Sequence, residues 1–105
     1  MSYAINPTDL GVVSKGVLKI TATNGNYQHY KNAGGHTLKA PTSSVPAMLD
    51  ILLTNVAGAG AVAFQGFHAM NPRSDKMTTT LGDRFILQVR CYSRRRKFIQ
   101  VVALQ

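Results

Sequence analysis

Three consecutive arginines, Arg94, Arg95 and Arg96, stand between two apolar-rich runs near the end of the chain. Adjacent guanidinium groups repel one another and are costly to desolvate, so this segment is expected to project into water. Arg90 and Lys97 flank it, and Tyr92 lies two residues ahead of it. A guanidinium fork donates two parallel hydrogen bonds to a phosphate. A tyrosine ring stacks on an unpaired base whatever the base is. Together these residue types point to a phosphodiester chain. Tyr27, His29 and Lys31 repeat the mixture at alternate positions, and Lys19 adds a further cation. The expected nucleic-acid-binding set is therefore Lys19, Tyr27, His29, Lys31, Arg90, Tyr92, Arg94, Arg95, Arg96 and Lys97. A basic turn also has a blander use, since it keeps a hairpin soluble and blunts edge pairing.

The charge balance strengthens the first reading. Twelve Lys and Arg face four Asp and no Glu, for a net charge of +8 over 105 residues. Such a surplus repels itself and calls for an external polyanion, of which nucleic acid is the most common. No membrane partner is expected, because the longest apolar-rich stretch, Val45 to Phe67, is interrupted by Asp50, Thr54, Asn55 and three glycines.

Catalytic constellations are absent from the sequence. Four separated aspartates supply no paired carboxylates for acid–base work. His29, His36, His68 and the single Cys91 have no metal-ligand spacing, so neither metal nor cofactor is expected. Cys91 falls mid-strand on the predicted core side and reads as a buried thiol rather than a nucleophile. The stretch GAGAVAF (58–64) lacks the strand–turn–helix context of a phosphate loop. No enzyme activity and no small-molecule substrate are predicted. With one cysteine no internal disulfide can form, which suits a reducing compartment: the cytoplasm, or the host cytoplasm or virion for a viral protein.

The elements that would position these residues are mostly strands. Residues 1–15, with Asn6-Pro7 and Asp9, read as an N-terminal arm, and 16–105 as one small globular domain. GVLKITATN (16–24) and YQHYKN (27–32) alternate as strands should, around the turn former Asn24-Gly25. A short strand follows over 36–40. Val45, Met48, Leu49, Leu52, Leu53 and Val56 then fall at helical spacing behind Ser43 and Ser44, which predicts a helix over about 45–57. A strand over 61–70 and a polar loop over 71–83 come next. The chain closes with a β-hairpin in which a four-residue connection, Ser93 to Arg96, sets Tyr92 opposite Lys97 and Arg90 opposite Ile99. In that register Phe98, Val102 and Leu104 join Phe85, Leu87, Val89 and Cys91 on the core face. No internal repeat is visible. The predicted fold class is α+β and β-rich, an antiparallel sheet of about five strands with the helix packed on one face.

Three functions fit these expectations. The first is a small binder of single-stranded DNA or RNA with little sequence specificity. The second is a phage or viral coat subunit that self-assembles through a sheet edge or the N-terminal arm, as a homo-oligomer facing the genome. The third is an adaptor or inhibitor that binds an acidic protein surface.

Overall fold

The structure, a computed structural model, describes residues 8–21, 25–42, 46–93 and 95–104. Among them are nine strands: β1 (Thr8–Val13), β2 (Val17–Lys19), β3 (Tyr27–Asn32), β4 (His36–Lys39), β5 (Ala47–Asn55), β6 (Val62–Gln65), β7 (Ala69–Met70), β8 (Arg84–Ser93) and β9 (Arg96–Leu104). They form a mixed six-stranded sheet in the order β1-β3-β5-β8-β9-β7 and a parallel three-stranded sheet in the order β2-β4-β6. The two sheets share one core, built from Tyr30, Leu49, Ile51, Leu53, Phe85, Leu87, Val89, Ile99 and Val101 of the larger and Leu38 of the smaller, with Ile20 beside them.

The expected α+β arrangement is overturned. No helix occurs among the described residues, and the larger sheet is not purely antiparallel. The segment read as a helix is strand β5, in which Leu49, Ile51, Leu53 and Asn55 are buried while Met48, Asp50, Leu52 and Thr54 face out. The predicted caps Ser43 and Ser44, with Val45, lie outside the described residues. Ile51 separates the two readings: it falls on the polar side of the helical pattern but on the buried side of the alternating one. The tertiary setting decides between them. β5 pairs in parallel with β3 and antiparallel with β8, so a helix here would strand the backbone donors and acceptors of both neighbours.

The first six strands wind as three coils, each contributing one strand to each sheet. Leu18 pairs with Leu38, an offset of 20 residues; Tyr27 pairs with Asp50, an offset of 23; His36 pairs with Val62, an offset of 26. The chain therefore does repeat, but in coils of unequal length, with Asn32 and Asn55 at equivalent corner positions of the second and third and Val13 in their place in the first. Of the residues read as an arm, Thr8–Val13 form β1 beside β3, and 1–7 lie outside the described residues.

The corners between the sheets stack closely. Asn32, fully buried at the end of β3, donates from Nδ2 to the carbonyl of Gly60 (2.8 Å) and to Asn55 Oδ1 (3.2 Å). Its Oδ1 accepts from the amides of Gly34 (3.2 Å) and Gly60 (3.3 Å). Asn55 stands directly beside it in the register and continues the ladder, donating to the carbonyls of Thr78 (2.8 Å) and Thr80 (3.1 Å). Gly34 and Gly60 must be glycine here. A Cβ on Gly34 would collide with the Ser14 carbonyl, and one on Gly60 with the Gly34-Gly35 backbone. Inside the same corner the Tyr30 hydroxyl meets His36 Nε2 at 2.8 Å, while His36 Nδ1 meets the Gly34 carbonyl at 2.8 Å. A carbonyl only accepts, so Nδ1 carries a proton, and in the neutral ring Nε2 accepts from the tyrosine.

The hairpin differs from its expected register by one residue over most of its length. Ser93 pairs with Arg96, but an irregularity at Tyr92 then sets Cys91 opposite Lys97, Arg90 opposite Phe98 and Val89 opposite Ile99. Because side chains alternate along a strand, this single extra residue exchanges the faces of β9. Ile99 and Val101 enter the core, Phe98, Gln100, Val102 and Leu104 face out, and Lys97 turns inward with 9% exposure. The polar segment 71–83 is tied down rather than free. The amides of Asn71 and Asp75 donate to the carbonyls of Ile99 and Val101, and Ser74 Oγ and Asp75 Oδ2 accept from the amides of Val101 and Ala103.

Two stability predictions follow from the corner. Asn32→Ala leaves three part-buried backbone groups and the buried Asn55 side-chain amide short of a partner, and should cost about 2–4 kcal/mol in urea unfolding. A midpoint within error of wild type would remove Asn32 from its structural role. Burial raises the Tyr30 phenol above its ordinary value. The folded chain therefore holds that proton more tightly than the unfolded chain, and the contribution is complete below about pH 10 and lost as pH rises beyond it. Tyr30→Phe should be less stable than wild type by about 1–3 kcal/mol at neutral pH, because it orphans His36 Nε2, and should show a shallower loss of stability in alkali.

Candidate nucleic-acid interface

The hairpin tip carries two arginines with free donors. Arg95 and Arg96 are exposed, and among the described residues neither has an ion pair or a hydrogen-bonded side-chain partner. Arg94 lies outside the described residues. All four carboxylates are committed elsewhere. Asp50 pairs with Arg90, Asp9 meets the Gly11 amide and His29, Asp75 accepts from Ala103, and Asp83 accepts from Thr78. The positive potential of the tip is therefore not quenched from within the described chain.

Aromatic rings adjoin these charges. Tyr92, which the alternation along β8 places on the outer face, is 59% exposed and lies 5.9 Å from Phe98 at a 56° tilt. Phe98 in turn meets His68 edge-on, also at 5.9 Å. His68, Arg95, Arg96 and Phe98 line an open cleft of about 500 Å³. A second depression beside it is lined by Gly66, Phe67, His68 and Arg95. A cleft lined by both unengaged guanidinium groups and rings offers phosphate oxygens bidentate donors and offers a base an apolar face.

The other expected site residues are dispersed. Arg90 faces out beside Phe98, but its Nη1 donates to the carbonyls of Val89 (3.0 Å) and Leu49 (3.3 Å) and to Asp50 Oδ1 (3.2 Å), so that nitrogen is engaged within the protein and the charge is paired with Asp50. Tyr27, His29 and Lys31 share the outer face of the six-stranded sheet with Arg90 but are separated from it by β5. His29 Nδ1 is 3.8 Å from Asp9 Oδ1. Lys31 stands in one row with Thr54 and Arg84, at the end of the sheet away from the hairpin tip. Lys19 belongs to the other sheet. Lys97 points inward beside Cys91 rather than outward with Tyr92.

His68, Phe67 and Phe98 were not singled out from sequence. Phe98 was hidden by the register shift. His68 and Phe67 fall in the run 61–70, whose alternation predicts one continuous strand, but the strand breaks at Gly66, where φ is +84°. Glycine within an apolar run was the available signal.

Comparison with known proteins returns no matching family model, no similar curated protein and no similar solved structure.

Burial pushes the Cys91 thiol above its ordinary range, and the neighbouring Lys97 ammonium opposes that shift. Native protein should therefore react with an aromatic disulfide reagent at mildly alkaline pH much more slowly than urea-unfolded protein. Lys97→Met should slow the native reaction further. Equal native and unfolded rates would contradict the buried placement of Cys91.

Proposed function

We propose that the protein binds single-stranded nucleic acid, DNA or RNA, with little sequence preference, through the tip of the β8–β9 hairpin. The observation that carries this reading is the pairing of two unengaged guanidinium groups, Arg95 and Arg96, with the ring row Tyr92–Phe98–His68 in a chain of net charge +8. The arginines take successive phosphates, and Tyr92, the most accessible ring of the row, takes an unpaired base. Affinity comes mainly from the release of counterions that the phosphates had condensed. Stacking needs no particular base, so discrimination among sequences is weak. Duplex is a poorer ligand because its bases are already stacked.

The setting proposed is a reducing one, cytoplasm or virion, in keeping with the unpaired Cys91. Among the described residues no helix is long and apolar enough to cross a membrane.

A second reading, a self-assembling coat subunit, is favoured by one feature. Both sheets end in the same coil, in β1 and β2, so a neighbouring copy can extend both together. Light scattering after size exclusion separates the two, since a large closed particle supports the shell and a monomer or dimer does not.

The binding reading is tested by fluorescence anisotropy with labelled oligothymidylate over a salt series. Arg95→Ala/Arg96→Ala should weaken binding and lower the slope of log K against log salt by about 1.4, the share of two phosphates. Tyr92→Ala should cost about 1–3 kcal/mol with little change of slope. An unchanged slope in the double variant would remove the tip from the interface.

A further inference from the structure

Sequence alternation places Lys19 and Lys39 on the outward side of the three-stranded sheet, and the register sets them directly beside each other on β2 and β4. Neighbouring strands lie about 4.8 Å apart, and like charges at such positions are destabilising. Nothing in the sheet relieves them. Its outward positions are Val17, Lys19, Thr37, Lys39, Ala63 and Gln65, without an acid, and all four aspartates lie elsewhere. An unrelieved pair of ammonium groups on a flat face fits an external anion.

The row continues toward the hairpin tip. Lys39 is the register partner of Gln65 on β6, and the next residue, Gly66, lines the tip depression together with Arg95. The approach at this point is close. A Cβ on Gly66 would sit 3.3 Å from the Cβ of Ala40, the residue after Lys39. The end of β4 and the wall of the depression are thus in contact.

We propose that the tip depression and the Lys19–Lys39 row form one track, along which a single nucleic-acid strand runs parallel to the coil axis. The tip anchors the strand by guanidinium forks and stacking. Gln65 bridges with a neutral amide that donates or accepts. Lys39 and then Lys19 meet successive phosphates as point charges, without reading bases. The inference rests on the binding role of the tip and extends it. It assigns the ligand a direction and a footprint longer than the tip alone, with two further phosphate contacts on the opposite sheet.

The test uses intact protein and two labelled oligothymidylates, of about 4 and about 12 nucleotides, titrated over a salt series. Wild type should show a steeper salt dependence with the longer oligonucleotide. A statistical gain from additional binding registers raises affinity but leaves the slope alone, so the slope is the deciding quantity. Lys19→Gln/Lys39→Gln should lower the slope for the longer oligonucleotide by about 1.4 and leave the shorter one unaffected. Lys19→Arg/Lys39→Arg should restore it. The control Lys76→Gln/Arg84→Gln removes the same charge at the end of the molecule away from the track and should leave both slopes as in wild type. A normal slope for Lys19→Gln/Lys39→Gln, or an equal loss in the control, overturns the track while leaving the tip standing. Full binding of the longer oligonucleotide by Arg95→Ala/Arg96→Ala would instead overturn the tip as anchor, and the track with it.

Discussion

The buried amide of Asn32 is the constraint on which the coils depend. It satisfies donors and acceptors that the corner would otherwise leave without partners, in its own coil at Gly34 and in the next at Gly60 and Asn55. Neutral hydrogen bonds of this kind contribute only about 1 kcal/mol each, but an unmade one in a dry corner costs more. The corner also sets the register between coils. Once Asn32 stands beside Asn55, the alternation along β3 and β5 fixes which side chains enter the core. Tyr30, Leu53 and Ile51 go in, and Tyr27, His29 and Asp50 go out. Close approach of the corners then requires Gly34 and Gly60. A stack of coils without these contacts would have no fixed offset, and its outward row of lysines no fixed spacing.

β5 is where the architecture changes. One of its edges pairs in parallel with β3 of the preceding coil, and the other begins an antiparallel ribbon that completes the larger sheet. The hairpin continues past the coils, and this brings Ser93 and Arg96 to the same end of the molecule as Gly66 and Phe67. Its free side is closed by β7 and by Ser74 and Asp75, whose side-chain oxygens substitute for the carbonyls of a further strand. The protein thus shields one edge of the larger sheet with a two-residue strand, two backbone amides and two side-chain oxygens.

The sequence was informative where alternation was regular and local. The strands at 27–32 and 84–92, the connection near 93–96 and the buried faces of Phe85, Leu87 and Val89 follow directly from period two. It misled where one pattern fits two periods, as in residues 47–55, where only Ile51 and the long-range partners β3 and β8 discriminate. It was silent on the coils, because their lengths differ and the corner asparagine recurs only once: Asn32 and Asn55 share one corner site, which Val13 occupies in the first coil. The candidate site was legible in part. The exposed arginines and Tyr92 follow from charge and spacing. The partners that shape the cleft, His68 and Phe98, depend on a bulge and a chain break that propensity does not encode. The dispersal of Tyr27, His29 and Lys31 from the tip results from the intervening β5, which the helical reading had removed from the sheet.

The corners between β1 and β2 and between β3 and β4 each hold three residues, and the corner between β5 and β6 holds six, while the stacking positions at Asn32, Asn55 and Gly60 keep their contacts. The added residues are not loose, since a Cβ on Gly58 would lie 3.1 Å from the Ala33 carbonyl of the corner before it. Ala57 is exposed, so a tag or fluorophore is best carried at that one residue, where it leaves the contact at Gly58, both sheets and the arginine-bearing tip in place.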